Sequence, residues 1–265
     1  MKNIMKYIGG CMAVLGAVSL QSCDKDFVET NTNPDAVSKP IPQYVFTKAQ
    51  YDCAANTQYF LLGTMQYTTS FNDVAGFGSK YNAAQTSQTF ENFNNAYTKE
   101  INELGIVIKA VKNDPALVNW LAEARIWRVF CFSRLTDLYG DIPYFQAGLG
   151  YDSSVYKPAY DAQKDIYNNM LAELDAAAQS LDASKSTYGV ADLVYGGVTD
   201  KWKKFAYSLM LRCAMRMIKV DAAAAQAWAT KAITGGVITA DADIAKMPYL
   251  SSEIGRASCR ERVSR

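Results

Sequence analysis

The chain has 265 residues, 49% hydrophobic and 20% charged, with a net charge of +1, a composition that suits a globular protein with a sizeable core and excludes general disorder. Histidine is absent, which excludes a Ser-His-Asp or Cys-His catalytic site and any histidine metal cluster. Carboxylates, tyrosine, lysine and cysteine are left as the side chains able to carry chemistry.

Lys2 and Lys6 precede an apolar run from about Tyr7 to Leu20, followed by Gln21-Ser22-Cys23. A cationic start, a short apolar run and small or polar residues before a cysteine make a bacterial export signal of the lipoprotein kind. The run falls short of the roughly 20 residues needed to span a bilayer, so residues 1–22 read as a segment removed on export. Leu20, three residues before the cysteine, fits a lipobox, and cleavage would leave Cys23 as a diacylated N-terminus. The plainer alternative is an ordinary signal peptide with an incidental cysteine. Residues 23–42, polar and holding Asn31, Asn33, Pro34, Pro40 and Pro42, read as an extended leader between lipid and domain.

From Gln43 to Gln66 a helix is expected, with Phe46, Cys53 and Phe60 near helical spacing. Phe71 to Ser87, with Gly76, Gly78, Asn72 and Asn82, reads as a loop. A second helix is expected from Thr89 to Lys112, its stripe made of Leu104, Val107, Ile108 and Val111, stopping before Asn113-Asp114-Pro115. The third is the clearest: Leu117, Leu121, Ala124, Arg128, Cys131, Leu135 and Leu138 recur at helical steps, and Gly140 ends it. After a loop with Pro143 and Gly148, a fourth helix is expected from Ala162 to Leu181 and a fifth from Thr199 to Val220. Asp221 then caps an alanine-rich sixth, ending near Gly235. No strand-like alternation persists, so the expected class is all-α, helix pairs joined by long loops. Such pairs resemble a helical-repeat scaffold, although no strict period of about 34 residues is present.

Of six cysteines, Cys11 lies in the leader, Cys23 is the lipid acceptor and Cys259 belongs to the tail. Cys53, Cys131 and Cys213 are widely spaced and odd in number, without a CxxC pair. They argue against a disulfide framework or a zinc site and read as small packed hydrophobes. The tail is out of character: four of the nine arginines fall within residues 253–265. Glu253 to Val263 resembles a translated sequencing-adapter read-through, so the tail is set aside and the helical domain of residues 43–252 is expected to be incomplete. The leader and the tail contribute +2 each to the net +1, which leaves −3 for residues 23–252. This slight acidity offers no basic patch for nucleic acid.

Trp120 to Phe145 reads WLAEARIWRVFCFSRLTDLYGDIPYF. Ala122-Glu123-Ala124-Arg125 and Leu138-Tyr139-Gly140-Asp141-Ile142-Pro143 within it resemble the signature region of the SusD/RagB family. Cys23-Asp24-Lys25-Asp26-Phe27 through Asn33-Pro34-Asp35, the Tyr160–Leu181 segment, and Asp200-Lys201-Trp202-Lys203-Lys204-Phe205-Ala206 with Leu209, Leu211, Arg212 and Arg216 agree in order. The resemblance implies a SusD-like fold with tetratricopeptide-like helix pairs. It also implies an outward-facing outer-membrane lipoprotein of Bacteroidota, a capture subunit or lid on a SusC-like TonB-dependent transporter. Such a protein binds oligosaccharide or peptide, has no enzymatic activity or cofactor, and is tethered through Cys23, with Asp24 and Asp26 resembling a surface-export signal.

Candidate residues each carry a plainer reading. Arg125 and Arg128, one turn apart, can clamp an anion, but pairing with carboxylates is the commoner role. Asp137 and Asp141 can make an acid/base pair, although turn capping is commoner for Asp141. Asp241 and Asp243 offer oxygen ligands for calcium, a weak signal on their own. Sugar rings present C–H faces that stack on aromatic rings. Tyr67, Phe71, Phe77 and Tyr81, in or beside the first long loop, are the candidate ligand-binding residues. Tyr144, Phe145, Tyr151 and Tyr156 occupy the second loop. The plainer role for both groups is to pin loops to the core or to a transporter. Trp127, Trp202 and Trp228 are expected in the core.

Overall fold

The computed structural model describes residues 40–55, 65, 67 and 83–248, with the side chains of 55, 83–89, 151 and 152 set aside. The helices are α1 (Pro42–Ala55), α2 (Ala83–Ala96), α3 (Asn102–Val111), α4 (Val118–Tyr139), a short α5 (Gly150–Ser153), α6 (Gln163–Ser180), α7 (Thr199–Arg216) and α8 (Ala222–Gly235). The described residues contain no β-strand, only one antiparallel bridge between Ile142 and Asp161. The all-α expectation holds. No helix of the described residues is long and apolar enough to cross a membrane.

The helices pack in series: α1 on α3, α3 on α4, α4 on α6, α6 on α7 and α7 on α8. Helix α4 is central because it is buried on most sides. Ile126, Cys131, Phe132 and Leu135 lie inside together with Glu123 and Thr136. Gly140 ends it at φ +76°, which a residue with a Cβ rarely adopts. The last helix pair needs a glycine for a different reason: a Cβ on Gly235 would run into the ring of Tyr207 on α7.

Several boundaries differ from the sequence expectation. Helix α1 is described as far as Ala55, and Met65, inside the expected helix, is in a turn. Helix α2 begins at Ala83, inside the stretch read as a loop, because Ala83-Ala84-Gln85 offers good helix formers that the polar composition obscured. Between α2 and α3 a π-turn over Tyr97–Ile101 inserts without interrupting the rod and buries Glu100. Helix α7 stops at Arg216, and Met217 to Val220 form a turn that delivers Asp221, whose carboxylate accepts from the Ala224 amide as the expected cap.

Aromatic rings join the layers. Phe46 of α1 stacks on Tyr188 at 4.1 Å, Trp127 meets Trp202 edge-on at 6.1 Å, and Tyr195 meets Trp202 edge-on at 5.4 Å. Trp127 and Trp202 are core residues as expected, whereas Trp228 is half-buried under Lys231. The α6–α7 connection is held by two polar hubs. Buried Asn119 donates to the carbonyls of Asp182 and Lys185 and accepts from the Asp182 amide. Buried Asp192 accepts from Gln50 Nε2, from the amides of Val194, Tyr195 and Gly197, and from Trp202 Nε1 at 2.7 Å.

Candidate functional site

The connection between α4 and α6 is a built loop. Its entrance is tied to α2–α3 by Tyr97, whose hydroxyl donates to the Pro143 carbonyl at 2.6 Å. Tyr144 turns inward, only 1% exposed, and donates through its hydroxyl to Asn169 Oδ1. Asp161 Oδ2 accepts from the Tyr144 and Phe145 amides at 2.8 and 2.9 Å, fastening the outgoing strand of the loop to the returning one. Ala159 donates to Gln146 Oε1 across the same ribbon. Ser154, beyond α5, sits at φ +55°, the left-handed region.

This framework holds three rings in solvent: Phe145 is 49% exposed, Tyr160 66% and Tyr156 78%. Phe145 and Tyr156 were legible as loop aromatics, while Tyr160 was missed because it was read as the approach to a helix. Tyr144 takes the plainer of its two roles: it anchors the loop to the core and does not present a face. Of the first candidate group Tyr67 is 77% exposed; Phe71, Phe77 and Tyr81 lie outside the described residues, as does Cys23.

The charged candidates are accounted for by the fold. Arg125 Nε and Nη2 donate to the two oxygens of Glu173 on α6, so this guanidinium is committed to a carboxylate. Arg128 lies over the rings of Phe132 and Tyr144, 4.8 and 5.4 Å from their centroids, and it clamps the loop instead of an anion. Asp141 accepts from the Gln163 amide at 2.9 Å and so caps the start of α6, the plainer of its two readings. Asp137 accepts from the Tyr167 hydroxyl and pairs with Arg216 Nη2 at 2.9 Å. The two aspartates thus serve different partners. Asp243 is buried against Lys204 at 2.7 Å while Asp241 is exposed, so the two do not combine into a cation site.

A mixed cavity of about 570 Å³ opens where the loop leaves α4 and enters α6. Asp137, Gln163, Lys164, Tyr167 and Arg216 supply its polar wall, Met217 and Val220 its apolar one. Burial and the bond to Asp137 raise the pKa of the Tyr167 hydroxyl, so it stays a donor. Deeper in the core, Glu123 is pushed up to about 9, first by burial and then by the charge of Asp192. Its two oxygens and Trp127 Nε1, one turn further along α4, have no hydrogen-bond partner among the described residues. A carboxyl so placed is neutral near pH 7.

Comparison with known proteins supplies the context for this geometry. The family model SusD-like_2, described as "Starch-binding associating with outer membrane", matches residues 34–261. Comparison with curated proteins finds no match. Among solved structures, one titled a chitin-binding protein is 34% identical, with a TM-score of 0.68 over 77% of this chain and 45% of its own. A SusD-like protein from Bacteroidetes is 27% identical, with a TM-score of 0.68 over 80% of this chain and 40% of its own. A SusD homologue from Parabacteroides distasonis is also 27% identical, with a TM-score of 0.68, over 80% and 42%. The chain therefore spans less than half the length of these solved structures.

Proposed function

The chain belongs to the SusD-like family, and from that premise we propose that it is a surface lipoprotein that captures glycan for import through an outer-membrane transporter. The observation that carries this reading is the trio of exposed rings, Phe145, Tyr156 and Tyr160, on a loop fastened to the helical core. A preformed aromatic surface stacks on the C–H faces of sugar rings with little ordering cost, because the scaffold already fixes the loop. The family's description as starch-binding and associating with the outer membrane, and the name of a chitin-binding relative, point to the same ligand class. Tyr67, Phe71, Phe77 and Tyr81 of the first loop are proposed as further stacking residues.

The finer parts of the proposal follow from the leader. Cys23 carries the lipid and holds the domain on the outer face of the outer membrane. Its partner is a SusC-like TonB-dependent transporter, on which it acts as capture subunit or lid. Tethering keeps the two at high effective concentration, so a modest contact is enough. The chain binds without turning over its ligand: Asp137 and Asp141, the one carboxylate pair that the sequence offered for hydrolysis, are occupied by Tyr167, Arg216 and the Gln163 amide.

The test is calorimetric titration of the purified chain with chito- and malto-oligosaccharides, with product analysis by mass spectrometry. Saturable binding without shortened products, weakened by Phe145→Ala or Tyr160→Ala, is the expected result. Shortened products would replace this reading with a hydrolase. No binding, together with co-purification of a transporter barrel, would leave a structural lid.

A further inference from the structure

Cys53 on α1 and Cys131 on α4 are 78 positions apart in sequence and meet in the core with their sulfurs 3.2 Å apart. Both are buried free thiols. Arg134, on α4, reaches across to α1, where Nη1 donates to the Cys53 carbonyl at 2.8 Å and to Cys53 Sγ at 3.3 Å. The Arg134 guanidinium thus ties α4 to α1 directly at the thiol pair. The third buried thiol, Cys213, has different surroundings, facing Asp137, Arg212 and Arg216.

A disulfide needs sulfurs about 2.05 Å apart, so this pair must close by about 1 Å. Glu100 adds a third donor atom, all three lying within 4.8 Å of one another. Metal binding is nonetheless the weaker reading, because the Arg134 charge against Cys53 opposes a second cation.

We propose that Cys53 and Cys131 form a disulfide that staples α1 to α4 when the chain folds in a thiol-oxidising setting. The oxidant is an external disulfide, either a small one such as oxidised glutathione or that of an oxidoreductase. The Cys53 thiolate attacks one sulfur of the oxidant and expels the first thiolate, leaving a mixed disulfide. The Cys131 thiolate then attacks Cys53 Sγ and expels the second. Two electrons pass from the cysteine pair to the oxidant's S–S bond, and the two cysteine protons end on its two thiolates. Because both sulfurs are buried, exchange takes place during folding, and the closed core then shields the bond from reductants. Its occurrence in cells, though not the pairing itself, rests on the export reading of residues 1–22.

The test begins with the full chain, reduced and unfolded, then refolded in a reduced and oxidised glutathione buffer. Free thiols are blocked with iodoacetamide, and tryptic peptides of the cooperatively melting fraction are read by mass spectrometry. The expected product is residues 49–80 linked to 129–134, retained in Cys213→Ala, lost in Cys53→Ser, and accompanied by a higher melting temperature than that of the reduced chain. Cys53 and Cys131 both blocked, or a mixture of pairs that includes Cys213, overturns the proposal. A second arm compares cells making the chain with and without residues 1–22. If refolding gives the link while the leader-bearing chain from cells shows free thiols, the pairing stands and the export reading falls.

Discussion

Arg125 and Glu173 join α4 to α6 through two parallel hydrogen bonds, Nε to Oε1 at 2.6 Å and Nη2 to Oε2 at 2.8 Å. Both side chains are about three-quarters shielded, with 25% and 22% of their surface exposed, so the pair is screened less than a surface one. The bond to Glu173 raises the pKa of the Arg125 guanidinium, and its partial burial opposes that. Arg125→Ala is expected to cost about 2 kcal/mol, because it leaves a half-buried carboxylate without its partner. Arg125→Met with Glu173→Met should recover most of that loss. Urea unfolding of the single and double variants checks both, and a double variant no better than the single would refute the pairing argument.

Glu123 gives the fold a pH dependence of known sign. Its pKa rises from the usual carboxylate range to about 9 in the folded chain, through burial and the charge of Asp192. Between the two values the folded chain holds a proton that the unfolded chain has released. This contribution is therefore fully present below about pH 4.5 and is lost as pH rises toward 9, with a slope of up to about 1.4 kcal/mol per pH unit. Glu123→Gln keeps the shape and removes the titration. The stability difference between variant and parent should widen in the variant's favour from pH 5 to pH 9. Parallel curves across that range would show that Glu123 does not titrate as argued.

Asp192 is the most connected buried carboxylate of the described residues, and its partners come from three places: α1, its own turn and α7. Asp192→Ala strands Gln50 Nε2, three amides and Trp202 Nε1, and a loss of about 3–5 kcal/mol is expected. Asp192→Asn should lose less, since one oxygen still accepts while the new NH₂ confronts donors. Chemical denaturation followed by tryptophan fluorescence measures both, Trp202 being an immediate neighbour. A cost below about 1 kcal/mol for the alanine variant would remove Asp192 as the organiser of this turn.

The helices were legible because their stops are local. Gly140 and Asp221 act within one turn of their own position, and the α4 stripe repeats for 22 residues. What sequence could not display are partnerships across distance. Gln50 meets Asp192 over 142 positions, and Arg125 meets Glu173 over 48, with no spacing rule connecting them. The loop aromatics show the same limit. Tyr144 and Phe145 are adjacent and chemically alike, yet one is an anchor and the other is exposed. The difference is set by Asn169 and Arg128, which only the fold brings alongside. Tyr160 escaped notice because it was read with the helix that follows, whereas it lies before α6 and is exposed.

Asp161 offers a way to separate loop shape from ring chemistry. Its carboxylate accepts from the amides of Tyr144 and Phe145 and so sets where Phe145 points. If the exposed rings bind sugar as a preformed surface, Asp161→Ala should weaken oligosaccharide binding about tenfold, the equivalent of about 1.4 kcal/mol of lost organisation. All three rings remain in the sequence of that variant, and only the fastening of the Tyr144 and Phe145 amides is lost. Its melting temperature should fall little, because Tyr97 and Asn169 still hold the loop base to the core. Phe145→Ala removes the ring itself, so adding it to Asp161→Ala should cost less than the two separate losses together, since both act on one contact. Calorimetric titration of the four proteins gives the comparison, and strictly additive losses would mean that Asp161 acts on affinity by some route other than Phe145.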